Sequence, residues 1–173
     1  MSKAQIPLVI IIEHNKPISF DVLSETIQIL GGAAEAASTN FLYSYNYREL
    51  NFPDELTSRV ESLIKENSKH LLWLDTASEG STIIRGCFIA VVIPILISVG
   101  CDVLGKSKHY QEFTKNSGQY VDKVLDHFIE ETNSIGNQRN GPESISIKAE
   151  VTQDGARIIV RPGTTQTDIN YFG

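Results

Sequence analysis

Residues 83–104, IIRGCFIAVVIPILISVGCDVL, decide how the rest of this chain is read. From Gly86 to Cys101 there is no charged residue, and Pro94 sits near the middle. As one helix the 22 residues would be about 33 Å long, and the uncharged 16 about 24 Å, at about 1.5 Å per residue. A spanning helix needs about 20 apolar residues for a hydrocarbon core of about 30 Å. The length is borderline, and Arg85 and Asp102 would have to snorkel or pair at the two ends. Gly86, Ala90, Ser98 and Gly100 are small enough to let helices approach closely. Pro94 would remove one backbone hydrogen bond and kink the helix.

The flanks complicate a simple span. Lys106, Lys108 and Lys115 follow the stretch, so the positive-inside rule places its C-terminal side in the cytoplasm; about 80 folded residues would then cross without a signal peptide. The opposite orientation, a re-entrant segment, insertion only on activation, and burial inside an oligomer are the alternatives. One chain of 173 residues has difficulty surrounding a helix that is apolar on every side. Self-association is therefore expected more firmly than membrane insertion.

Composition bounds the rest. The chain is long enough to bury a core without disulfides or metals. Its hydrophobic fraction of 41% and charged fraction of 21% exclude a disordered chain. The net charge of −6 argues against a general nucleic-acid binder, although a local basic patch stays open. Cys87 and Cys101 are too few for a disulfide framework, and no other Cys supplies metal-ligand spacing. Two buried reduced thiols, as in a cytosolic protein, are the plain reading. The N-terminal apolar run Pro7–Ile12 ends at Glu13 and lacks a small-residue cleavage site, so it reads as a strand and not as a signal peptide. The expected location is the cytoplasm or the inner membrane.

The remaining elements make an α+β chain. The β-branched run Pro7–Ile12 suits a strand buried on both faces. Phe20, Leu23, Ile27, Leu30, Ala34 and Ala37 predict an amphipathic helix after a Ser19 cap, with Gly31-Gly32 marking a kink or a close helix approach. Phe41–Tyr47 reads as an aromatic strand with Phe41, Tyr43, Tyr45 and Tyr47 on one face. A helix follows from Asp54 to about Lys69, then a buried strand at Leu71–Leu74 and a turn at Asp75–Ser81. Gly105–His109 is a basic stop. Gln119–Glu131 is a second amphipathic helix, and Asn133–Pro142 a polar linker. The last element is a hairpin about a two-residue Asp154-Gly155 turn, with Val151 opposite Ile158 and Ala149 opposite Val160. This divides the chain into an α/β module at 1–80, the apolar helix at 81–105, an amphipathic helix at 106–135, and a hairpin with polar tail at 136–173.

No catalytic motif is present. His14, His70, His109 and His127 are scattered, and the acids flanking the Asp75–Ser81 turn lack a partner base or nucleophile. The chain is read as non-enzymatic, with no metal and no cofactor; an enzyme is the third choice. Tyr43, Tyr45 and Tyr47, with Lys148, Arg157 and Arg161 on the polar face of the hairpin, are the first places to seek a regulatory anion, because aromatics stack bases and cations hold phosphates. Residues Arg85, Gly86, Ala90, Pro94, Ser98, Gly100 and Asp102 would carry the membrane or oligomer contact.

An α/β module leading through a Gly-Ser turn, Ser78-Glu79-Gly80-Ser81, into one apolar helix resembles small bacterial membrane effectors of anti-phage defence, the Hailong type among them. The resemblance spans about residues 7 to 130, and it assigns no individual residue. It implies a self-associating effector that contacts or permeabilises a membrane, gated by a nucleotide or oligonucleotide. An oligomeric scaffold or accessory protein with the apolar helix buried in the assembly is the alternative. The partners expected are the chain itself, membrane lipid, and a nucleotide or oligonucleotide regulator.

Overall fold

The structure is a computed structural model that describes residues 5–13, 20–45, 53–67, 72–77, 83–138 and 145–161. Strand β1 runs Gln5–Ile12, and helices α1 (Phe20–Tyr45) and α2 (Asp54–Glu66) follow it. Strands β2 (Leu72–Ala77) and β3 (Ile83–Ile89) lead into α3 (Val92–Leu104), α4 (Lys108–Lys115) and α5 (Ser117–Gln138). Strands β4 (Ser146–Val151) and β5 (Ala156–Arg161) end the described chain. The fold is α+β, with one mixed sheet in the order β2-β3-β1-β5-β4.

The central position belongs to β1. It runs antiparallel to β3, with Val9 opposite Arg85, and parallel to β5, with Val9 opposite Arg157. Its even residues Ile6, Leu8, Ile10 and Ile12 are at most 4% exposed, while its odd residues are half-buried. Burial of the even residues is worth about 1.5–3 kcal/mol for each large aliphatic side chain. Against them pack Leu30, Ala34, Ala37 and Phe41 of α1 and Val124, Leu125 and Phe128 of α5. Phe88 of β3 stacks on Phe128 with ring centroids 4.7 Å apart.

The apolar stretch 83–104 is not one helix. Its first seven residues are a strand, with Ile84 and Phe88 buried and Arg85 exposed between them. That alternation is the period of a strand, and pairing with β1 and β2 satisfies the backbone. The helix begins only at Val92, which places Pro94 in its first turn and not at a kink. There the missing N–H has no partner to lose: the Ala90 carbonyl instead accepts from the Ile93 amide at 3.2 Å.

Other expectations shift for equally local reasons. The aromatic segment is not a strand through Tyr45: α1 continues over it, because Leu30, Ala34, Ala37 and Phe41 extend the core face by one more turn. Gly31 and Gly32 lie inside α1, and a Cβ at either would meet nothing within 4 Å, so no close approach explains them. The basic stop at Gly105–His109 gives way to α4, whose Tyr110 and Phe113 are buried. The linker begins later than Asn133, since α5 runs to Gln138. The proposed boundaries at 80, 105 and 135 cut across shared structure, because β1, β3 and β5 join one sheet and one core.

The hairpin has the expected faces but a register two residues away. Val151 lies opposite Ala156 and Ala149 opposite Ile158, so Thr152–Gly155 form the turn. The Thr152 amide donates to the Gly155 carbonyl at 2.9 Å, and the Gly155 amide donates to Thr152 Oγ1 at 3.1 Å. A shift of two keeps every side chain on its face. Gly155 is required by crowding: a Cβ there would come within 2.0 Å of the Pro7 carbonyl oxygen.

Edge strand β4 is closed at one point by α5. Asn133 donates from Nδ2 to the Ala149 carbonyl at 3.0 Å and accepts from the Ala149 amide at Oδ1, at 2.7 Å. The carboxamide thus takes the place of one residue of a neighbouring strand, a form of edge protection.

Two tests follow from this packing. Gly32→Ala should stabilise the protein by about 1 kcal/mol, since Ala is the better helix residue and the site is open, whereas Gly155→Ala should destabilise by about 1–3 kcal/mol or more through overpacking; urea unfolding measures both. Asn133→Leu should lower stability by about 1–3 kcal/mol by leaving buried backbone groups unpaired. Amide exchange at Ala149 should accelerate in that variant beyond the global change.

Candidate functional site

Among the described residues, two outward surfaces hold runs of uncharged or apolar side chains. The first is the outward side of α3. Val92, Ile93, Leu96 and Gly100 turn into the core, and Val91, Ile95 and Val99 pack half-buried against it, which leaves Pro94, Ser98 and Cys101 exposed. No charge falls between Val91 and Cys101. A surface helix normally carries charge on its outer side. On α5 the exposed positions include Asp122, Lys123, Asp126 and Glu130.

The second is the sheet face turned away from the helices. Val9 and Ile11 of β1, Ile83 and Cys87 of β3, and Ile159 of β5 are half-buried and lie outside the core. In register, Ile83, Ile11 and Ile159 form a row across three strands. Exposed Arg85, Lys148, Arg157 and Arg161 surround it.

The residues expected to form one membrane or oligomer helix are therefore distributed over two elements. Arg85 and Gly86 belong to β3, and Ala90 is buried at the junction. Pro94, Ser98 and Gly100 lie on α3, with Gly100 inward and the other two outward. Asp102 is in the last turn of α3. The Ser78–Ser81 turn lies outside the described residues.

The expected anion-binding residues do not converge. Tyr43 is on α1, and its hydroxyl donates to the Glu61 carboxylate on α2. Tyr45 ends α1, and Tyr47 lies outside the described residues. Helical spacing also removes the shared aromatic face, because residues two apart do not align on a helix. On the hairpin, Arg157 Nη1 lies 2.9 Å from Glu150 Oε1, and Arg161 Nε lies 2.6 Å from Glu13 Oε2. Both pairs are solvent-exposed, and such pairs contribute about 0–1 kcal/mol. Lys148 is exposed on the same face. Carboxylates thus interleave the cations, and no concentrated phosphate site results. Among the described residues no group of three His, Cys, Asp or Glu is placed to hold a metal ion. No disulfide joins Cys87 and Cys101.

The class defined by these elements is an α+β protein with a mixed five-stranded sheet. No protein-family model, curated protein or solved structure matches the chain.

The sheet's outward row was hidden in the sequence by the reading of Ile83 as helical. The signal that exposes it is β1 itself, which is apolar on both faces. The two sides of α3 can be told apart by substitution. Ile93→Asp places a charge at a site only 3% exposed and should abolish folding. Ser98→Arg should leave the thermal midpoint within the range of a surface change, about 0.5 kcal/mol. Far-ultraviolet circular dichroism during thermal unfolding reads both.

Proposed function

We propose that this chain works by self-association, as a non-enzymatic assembly or accessory module whose α3 outer side is a seam between copies. The observation that carries this reading is the uncharged outward side of α3, on a molecule whose other helices all expose charged residues, Asp21 on α1 and several on each of α2, α4 and α5. Depletion of charge is the compositional mark of the buried centre of a protein–protein interface, and the exposed residues of α3, Pro94, Ser98 and Cys101, carry none.

The membrane reading receives less support. No helix among the described residues is long and apolar enough to cross a membrane. At 13 residues α3 is about 20 Å long, against a hydrocarbon core of about 30 Å. Extending it back to Ile83 would require β3 to leave its pairing with both β1 and β2, which breaks the middle of the sheet. A seam between copies needs no such rearrangement.

Light scattering after size exclusion tests the proposal. The wild-type chain should elute above the 19.2 kDa protomer mass without detergent, in proportion to concentration. Ser98→Arg should return it to the protomer while the fold is retained. A wild-type chain that stays at protomer mass, yet binds or permeabilises anionic vesicles, would replace this reading with the membrane effector.

A further inference from the structure

We draw no further inference here: the strongest candidate, the half-buried apolar row Ile83–Ile11–Ile159 on the outward face of the sheet, carries none, because nothing among the described residues shows what covers it and Arg157 and Arg161 beside it already pair with Glu150 and Glu13.

Discussion

The rest of the structure depends on β1 being hydrogen-bonded on both sides. Its partners, β3 and β5, come from the middle and the end of the chain, so the sheet closes only when three distant segments meet. Once they do, Ile6, Leu8, Ile10 and Ile12 form the floor on which α1 and α5 lie. The same closeness sets two sequence requirements. Pro7 lacks an N–H and sits just before the first residue paired with β5, Leu8; a strand tolerates proline at such a margin. Gly155 passes the Pro7 carbonyl so closely that no side chain fits. A proline and a glycine separated by most of the chain are thus consequences of one strand junction.

The helical layer is held by aromatic contacts and by polar groups turned inward without penalty. Phe41 lies 6.3 Å from Tyr120, and Phe113 lies 5.0 Å from the same ring, which ties α1, α4 and α5 together. Ser38 and Thr132 are fully buried, yet each hydroxyl donates to the carbonyl four residues earlier in its helix, to Ala34 and Phe128. This satisfies the hydroxyls locally and spares the core an unpaired donor. Asn133 performs the same service for a strand, with its carboxamide facing the backbone of Ala149.

Much of this was legible in the residues. Strand β1, the amphipathic helices α1, α2 and α5, strand β2 and both faces of the hairpin follow from period and turn chemistry. Besides the missed helix α4 and the late end of α5, three features differ from the sequence pattern, each because one signal outweighed a second. The absence of charge from Gly86 to Cys101 suggested one helix, although alternation at Ile84 and Phe88 marks a strand and Pro94 marks a helix start. The aromatics from Phe41 to Tyr45 have strand propensity, yet packing on α5 extends α1 through them; tertiary contact overrides so weak a preference. The hairpin register slipped by two because Asp154-Gly155 favours a two-residue turn, whereas Gly155 is needed against Pro7. The candidate site was legible only in part: the uncharged side of α3 could be read, but the outward sheet row exists only once β3 is recognised as a strand.

That row changes the meaning of the apolar stretch. A single helix apolar all round would have to be hidden from water on every side, by lipid or by many neighbours. Divided into β3 and α3, the stretch buries Ile84, Phe88, Val92, Ile93 and Leu96 within its own protomer, and only two narrower surfaces are left over. Neither is large. A helix about 20 Å long and about 10 Å wide has a footprint near 200 Å², while a stable interface buries about 800 Å² on each partner. The outer side of α3 alone falls short of this, so a lasting contact must extend onto the helices beside it, which include both α2 with its carboxylates and α4 with its lysines.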